Sequence, residues 1–319
     1  MHRLRCIPFM LLYSLLCTLP GVRGFAQTSH ASTDNFPSYT LRIPVDEISL
    51  TFHASDASGA PLTHLTATDL HLSDDGKPQS HIALLESLEN LPIHAGFLFD
   101  TSTSMTNDLA NNRSIILLYA SRLLRKGVDS AFVMQFDTET LIRQSWTDDD
   151  VRIAAGAAAV RMRQDHLPLT SIFDSLYTAC RDQWPADRGE ATGNFILLFS
   201  DGLDDNSHAN LSEAVDMCQR SRTAIYAIAN RRKSSFSAGE RTLEELASKT
   251  GGRIFYNPQG DRIWKDLQLI ETEQRNQYRL VYKPSEFKAN GKFHRIKLGC
   301  SVKGAKIAVR SGYYAYARP

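Results

Sequence analysis

Five oxygen-bearing side chains stand where the sequence predicts strand ends or a helix start: Asp100, Ser102, Ser104, Thr170 and Asp201. Carboxylates and hydroxyls without His or Cys select a hard cation. We therefore predict a divalent cation at these residues, with Mg²⁺ as the first choice and Mn²⁺ or Ca²⁺ as alternatives. A small ion with near-octahedral geometry keeps several waters beside a few protein ligands. One position of such an ion is open to an external carboxylate.

The elements that must position these side chains alternate in type from about residue 92 onward. Apolar runs at 93–99, 131–136, 195–199 and 224–229 are typical of strands that are buried on both faces. Segments with helical spacing separate them. This alternation predicts an α/β fold with a doubly wound, mostly parallel sheet. In such sheets ligands bind beyond the carboxyl ends of the strands, where the strand order reverses.

Local signals predict where several elements begin and end. Gly127 is expected to end the first helix, and Thr242 with Glu245 forms a capping box for a later helix. Asn290-Gly291 indicates a hairpin between two strands. Residues 306–316 are expected to form one final strand.

Outside the α/β part, both ends of the chain have sequence patterns that are typical of β-strands. We predict an N-terminal β segment at 39–90, an α/β domain at 91–277 and a C-terminal β segment at 278–319. Neither β segment looks large enough to fold alone. We infer that the two pack together as one sandwich, with the α/β domain inserted between them.

The five oxygen-bearing residues resemble a known motif. Asp-x-Ser-x-Ser, a distant Thr and a distant Asp followed by Gly are the signature of the von Willebrand factor type A (VWA) domain and its metal-ion-dependent adhesion site, and the resemblance covers roughly residues 90–280. It implies that the Ser and Thr hydroxyls touch the metal, that the two Asp act largely through water, and that an acidic residue of a protein partner completes the coordination.

The flanking sequence sharpens this resemblance. Residues 73–79 and 310–315 look like the VWFA-related secreted proteins first catalogued in acidobacteria. Two positions depart from the pattern: Thr103 and Leu169 stand where Gly is common in relatives. A side chain then occupies space that Gly leaves free, but neither change removes a ligand.

Simpler explanations exist for each acidic cluster. Asp100 and its serines could be a helix N-cap, since both residue types are favoured there, and the metal site could be vestigial and hold only water. The acidic run 148–150 is better explained as a helix start than as a calcium loop. Asp204 and Asp205 are expected to lie in a solvated turn.

The first 26 residues have the pattern of a signal peptide. Arg3 and Arg5 precede an apolar run that ends near Leu19, and small residues follow at 24 and 26. A permanent membrane span is the weaker interpretation because the run is short and contains Pro8. A flexible leader is expected at 27–38. We therefore predict an exported protein, periplasmic or extracellular, without a membrane span in the mature chain.

Export permits disulfides, and three cysteines follow the predicted cleavage point: Cys180, Cys218 and Cys300. The odd number argues against a disulfide framework. Cys180 and Cys218 pair only if their helices are neighbours; buried thiols are the alternative.

Charge and motifs exclude several classes of function. With 36 basic and 35 acidic residues the net charge is +1, which argues against nucleic acid as a partner. Ser102 stands where a phosphatase of the haloacid dehalogenase type needs a second Asp as acid/base, and no nucleophile elbow, phosphate-binding loop or zinc-protease motif occurs.

We predict a binding protein and not an enzyme. The alternatives are a structural subunit of the bacterial envelope with a vestigial metal site or, as the weakest, a metal-dependent hydrolase.

Overall fold

Three β-sheets organise the protein, which we describe from a computed structural model that covers residues 47–162, 169–184, 191–229, 237–256 and 260–315. The predicted signal peptide (1–26) and leader (27–38) lie outside the described residues. The strands in chain order are β1 (Ile48–Ser55), β2 (Leu70–Asp74), β3 (Lys77–Gln79), β4 (Ile82–Leu88), β5 (Ile93–Asp100), β6 (Ser130–Phe136), β7 (Thr140–Thr147), β8 (Gly193–Phe199), β9 (Thr223–Ala229), β10 (Ile254–Tyr256), β11 (Gln277–Tyr282), β12 (Phe293–Cys300), β13 (Lys306–Val309) and β14 (Gly312–Tyr314). The helices are α1 (Leu109–Arg122), α2 (Asp150–Ala159), α3 (Ile172–Asp182), α4 (Leu211–Arg220), α5 (Ala238–Thr250) and α6 (Asp261–Arg275).

The central sheet has the strand order β10-β9-β8-β5-β6-β7. Strands β5, β6, β8, β9 and β10 run parallel to one another, and β7 pairs antiparallel with β6 at one edge. The chain leaves β5 toward β6 on one side and later returns to β8 on the other side. The order therefore reverses between β5 and β8, and this is the place where such sheets bind ligands.

Helices cover both faces of the central sheet. Helices α1, α2 and α6 bury their apolar residues against one face, and α3, α4 and α5 bury theirs against the other. The strands between them are apolar at nearly every position because both faces are covered. The predicted doubly wound α/β fold is confirmed.

Two antiparallel sheets flank this unit and share one hydrophobic core. One has the order β13-β1-β11-β4 and the other β14-β12-β2-β3. Each sheet mixes strands from before and after the α/β part, so neither end of the chain could complete a sheet alone. The predicted flanking β-sandwich of N- and C-terminal strands is confirmed.

Four local predictions are wrong in position or partner. Helix α1 ends at Arg122, and Gly127 lies in the turn beyond it with a positive φ of 75°. The capping box of α5 is formed by Ser237 and Glu240 and not by Thr242, whose hydroxyl donates to a carbonyl one turn back inside the helix.

The other two errors concern the C-terminal strands. Strands β11 and β12 on either side of Asn290-Gly291 belong to different sheets, so they form no hairpin. Residues 306–316 do not form one strand, because β13 pairs with β1 in one sheet and β14 pairs with β12 in the other.

A disulfide joins α3 to α4. Cys180 and Cys218 are bonded, with their Cα atoms 5.0 Å apart, and Cys300 is a free, half-buried thiol. Helices α3 and α4 are packed neighbours on one face of the central sheet. This is the condition under which the sequence allowed the two cysteines to pair. The bond closes a loop with a sequence separation of 38.

Removing this disulfide should lower the free energy of unfolding by about 2 to 4 kcal/mol, mainly because the unfolded chain regains the freedom of the closed loop. The double variant Cys180→Ala/Cys218→Ala tests this by urea denaturation followed by circular dichroism. Cys300→Ala is the matched control and should stay within about 0.5 kcal/mol of the parent. Equal stability of the double variant and this control would contradict the prediction.

Within the described residues, no helix is both long and apolar enough to span a membrane.

Candidate metal site

Asp100 is the last residue of β5, and its side chain is almost fully buried, with 2% of its surface exposed. One carboxylate oxygen, Oδ1, accepts a hydrogen bond from the backbone N–H of Ser102 at 2.9 Å. The other, Oδ2, accepts from the hydroxyl of Ser200 at 2.7 Å. Because Ser200 follows β8, these bonds join the carboxyl ends of the two strands between which the order reverses.

The two serines of the motif lie side by side. The hydroxyl oxygens of Ser102 and Ser104 are 3.2 Å apart. Adjacent ligands of an octahedral Mg²⁺ are about 3.0 Å apart when each is about 2.1 Å from the ion. The pair thus has the spacing of two neighbouring ligands.

Helix capping does not account for these hydroxyls. Ser102 precedes the short 3₁₀ turn Thr103–Met105, but its side chain makes no capping hydrogen bond. The N-cap of α1 is Asp108, which lies beyond both serines. In contrast, Asp149 caps α2 by accepting from two backbone N–H groups, as the helix-start interpretation of 148–150 predicts.

Asp201 faces Asp100 across the reversal point. Burial raises the pKa of Asp100, and the negative charge of Asp201 raises it further. Burial is the largest cause and the hydrogen bonds from Ser102 and Ser200 act against it, so that the pKa of Asp100 reaches about 6. A cation beside the two carboxylates would offset both effects, because it favours their ionised forms.

The backbone geometry after Asp201 requires glycine at position 202. The φ of Gly202 is 83°, and a Cβ atom there would lie 2.1 Å from the carbonyl oxygen of Gly239. The backbone therefore passes too close to the start of α5 for any side chain. The tight turn also lets Asp201 Oδ1 accept from the N–H of Leu203 at 3.1 Å.

Thr170 lies in the loop before α3, with 5% of its surface exposed. The next residue, Ser171, donates its N–H to the carbonyl of Asp137 at 2.8 Å. Asp137 follows β6, and Thr101 donates to the carbonyl of Phe136 at 2.8 Å. These bonds anchor the Thr170 loop to the same edge of the sheet as Asp100.

Asp204 and Asp205 attach the Thr170 loop to the loop after β8. Asp205 Oδ1 accepts from the N–H of Thr170 at 2.7 Å, and Asp204 Oδ1 accepts from the N–H of Ile172 at 2.7 Å. The pair lies in an irregular, solvent-accessible segment as predicted, with Asp205 exposed and Asp204 half-buried, but its contacts to the start of α3 were not predicted. Their carboxylates cap the start of α3, where free N–H groups and the helix dipole favour negative charge.

The site is open to solvent on one side. Thr103 and Ser104 are exposed, and Leu203 beside Asp201 has 52% of its surface exposed. The donors are therefore of the hydroxyl and carboxylate type, converge at a strand-order reversal, and can be reached by an external group. Such a donor set fits a small, hard dication.

A second cluster of metal-ligand types lies in the β-sandwich and was not predicted. Possible ligand atoms of Asp74, Asp75 and His294 all lie within 4.8 Å of one another. Internal contacts account for it: the hydroxyls of Tyr282 and Tyr313 donate to Asp74 Oδ2 at 2.7 and 3.0 Å, and His294 Nδ1 lies 2.9 Å from Asp75 Oδ2. No local pattern around 74–76 could show this cluster, because the tyrosines and the histidine come from distant strands.

Comparison with known proteins supports the fold. No protein-family model and no curated protein match the sequence. Among solved structures, proximal thread matrix protein 1 from the mussel byssus aligns with a TM-score of 0.50 at 16% identity, over 63% of this chain and 51% of that chain. The same protein with a zinc-occupied MIDAS motif aligns with a TM-score of 0.49 at 17% identity, over 63% of this chain and 50% of that one. BatB from Bacteroides thetaiotaomicron aligns with a TM-score of 0.46 at 15% identity, over 56% of this chain and 97% of that chain.

At 16% identity, the alignment with a TM-score of 0.50 bears on the fold alone. The alignment with the mussel protein spans about half of that protein's length. Together with the strand order and the helices on both faces, it shows that the central unit has the fold of a VWA domain.

Proposed function

We propose that this chain is an exported binding protein that uses a divalent cation to hold an acidic residue of a protein partner. One observation carries the proposal: Asp100, Ser102 and Ser104 converge with Asp201 at the point where the strand order reverses. The paired hydroxyls serve no helix cap, and the buried carboxylate lacks a compensating cation among the described residues. A bound dication would use the paired hydroxyls as ligands and would balance the negative charge of the buried carboxylate.

The roles of the residues follow from their chemistry and from the VWA resemblance. The hydroxyls of Ser102, Ser104 and Thr170 would contact the ion, and Asp100 and Asp201 would act mainly through bound water. Mg²⁺ is our first choice because it keeps several waters beside few protein ligands; Mn²⁺ and Ca²⁺ are the alternatives. When bound, the ion would supply a Lewis-acidic position that a partner's Asp or Glu can fill.

Two features support export. Residues 1–26 have the composition of a signal peptide, and the Cys180–Cys218 disulfide suits an oxidising compartment. We place the protein in the periplasm or outside the cell. A partner of the same compartment is expected.

The proposal makes the protein a binding module and not an enzyme. The hydroxyl of Ser102 has no carboxylate that could transfer a proton at the position a haloacid dehalogenase-type phosphatase requires. We expect no hydrolytic activity from this site.

Partner capture should depend on the metal. With the immobilised protein and an envelope extract, we expect a partner to bind in Mg²⁺ and to be lost when a chelator is added, because the ion supplies the contact to the partner's carboxylate. Mass spectrometry of the bound fraction measures the effect. The immobilised Asp201→Ala variant should capture no partner even in Mg²⁺, like the parent protein in the chelator.

Thr103→Ala provides the matched control, since Thr103 lies between the two serines but is exposed and belongs to no predicted ligand set. This bait should capture the same partner. A partner that stays bound in the chelator would instead favour the alternative of a structural envelope subunit that binds through another surface.

A further inference from the structure

A cavity of about 450 Å³ lies between the VWA-type unit and the β-sandwich. Its walls come from the ends of α4, α5 and α6, the start of β9, strand β1 and the segment around β14. We call it the junction cavity. Its volume is within the range of small-molecule sites, which often occur where two structural units meet.

The junction cavity is far from the candidate metal site. Its lining includes Thr223 and Ala224 at the start of β9, whereas the metal site lies beyond the carboxyl ends of β5 and β8. The strands between them have seven or eight residues, a length of roughly 20 to 25 Å. A ligand in the cavity would therefore not touch the metal.

Two acidic residues of the cavity wall already have cationic partners. Asp216 Oδ2 accepts from Arg220 Nε at 2.7 Å. Glu273 is paired with Arg253 and accepts from the hydroxyl of Tyr226. Each carboxylate therefore has a cationic partner of its own, and Asp216 in addition feels the charge of Arg310.

Arg310 is a half-buried cation with too few partners. One nitrogen, Nη2, donates to the carbonyl of Ser49 at 3.0 Å, whereas Nε is buried and has no hydrogen-bond partner among the described residues. Burial lowers the pKa of its guanidinium to about 10, although the charge of Asp216 acts in the opposite direction. Burying a donor of a charged group without an acceptor is costly, so this arginine is suited to receive an anion.

Arg222 adds a second positive charge to the same cavity. Within the part of the chain that the structure describes, its side chain has no hydrogen-bond or ion-pair partner, and it is exposed. Its φ is 54°, a left-handed conformation that favours glycine. A long cationic side chain thus occupies a turn position without a hydrogen bond or ion pair to the described residues.

We propose that the junction cavity binds a small organic anion whose carboxylate or phosphate group is held by Arg222 and Arg310. Guanidinium groups match the planar geometry of either oxyanion and can donate two parallel hydrogen bonds to it. The ligand is a small molecule because the cavity is bounded on several sides by both structural units. This proposal is independent of the proposed metal site.

Calorimetric titration tests the proposal with two probes, succinate for the carboxylate and inorganic phosphate for the phosphate group, at constant ionic strength. The parent protein is expected to bind at least one of them. Arg222→Gln and Arg310→Gln should each weaken that binding about tenfold or more, the loss expected for a charge-assisted hydrogen bond. Arg222→Gln is the decisive variant, because the Arg222 side chain makes no hydrogen bond or ion pair with the described residues that the substitution would remove.

Two controls separate this site from other effects. Arg122→Gln removes an exposed arginine at the end of α1 and should leave anion binding unchanged. Asp201→Ala should also leave it unchanged, so that a failure of the metal site would not be mistaken for a failure of this one. Absence of binding by both probes, or equal binding by the parent and Arg222→Gln, would overturn the proposal.

Discussion

Replacing Asp201 with alanine is expected to weaken Mg²⁺ binding about 100-fold or more while the protein stays folded. Asp201 is half-buried, and among the described residues its side chain accepts one hydrogen bond, from the N–H of Leu203 at 3.1 Å. Loss of that bond costs only about 1 kcal/mol. Loss of a carboxylate from a site with so few protein groups removes much of the attraction for the ion.

Asp100→Ala should abolish metal binding as well, but with a larger loss of stability. The Asp100 carboxylate is buried and joins the ends of β5 and β8 through Ser200. Removing it leaves the Ser200 hydroxyl and the Ser102 N–H without their acceptor. Asp201→Ala is therefore the cleaner test of function.

The serines provide a finer test within the same loop. Ser102→Ala and Ser104→Ala each remove one of the paired hydroxyls and should weaken Mg²⁺ binding. Thr103→Ala instead removes the hydroxyl of an exposed residue that belongs to no predicted ligand set. Isothermal titration with Mg²⁺ and Mn²⁺, with circular dichroism to confirm folding, measures all of these variants. If Asp201→Ala, Ser104→Ala and Thr103→Ala bound the ion like the parent, the site would be refuted.

Much of this site could be predicted because its residues follow the ends of buried strands. Asp100 ends β5 and Asp201 follows the end of β8 by two residues, and since the carboxyl ends of parallel strands meet at one edge of a sheet, the strand predictions already placed both residues there. The roles of Asp204 and Asp205 could not be predicted in the same way. They cap a helix that begins about 30 residues earlier in the chain, and nothing near them in the sequence shows that this helix start is adjacent.

The fold, too, could be predicted where its contacts are local in the sequence and could not where they join distant segments. The α/β alternation is predictable because each helix packs on the strands next to it in the chain. Asn290-Gly291 misled the prediction because a turn signal reports local backbone geometry, whereas strands β11 and β12 pair with distant strands in separate sheets. Strand pairing in the sandwich depends on contacts over more than 200 residues, which no local pattern contains.

A buried ion pair links the residue before β6 to the end of α6 and was not predicted. Arg275, at the end of α6, donates to both carboxylate oxygens of Asp129 at 2.9 and 2.8 Å. Asp129 also accepts from the N–H of Ile93 at 2.9 Å and from Arg125. The side chain of Asp129 is fully buried, and that of Arg275 is 8% exposed.

Asp129→Ala should lower the free energy of unfolding by about 3 to 5 kcal/mol, because it leaves the buried guanidinium of Arg275 without its main partner. Urea denaturation measures this loss. Asp182→Ala is the matched control: Asp182 pairs with Arg181 on the surface, where both side chains are about half exposed. Its loss should stay below about 1 kcal/mol.

The pH dependence of the same pair gives an independent check. Burial raises the pKa of Asp129, but hydrogen bonds from Arg275, Arg125 and the N–H of Ile93 outweigh it and hold the pKa at about 2, below the usual 3.8. The ionised form is thus stabilised in the folded state, by about 2.5 kcal/mol. This stability is present above about pH 4 and is lost as the pH falls toward 2. The difference in stability between the parent and Asp129→Asn should therefore shrink over that interval; a difference that stays constant would show that the Asp129 carboxylate is not stabilised in its ionised form.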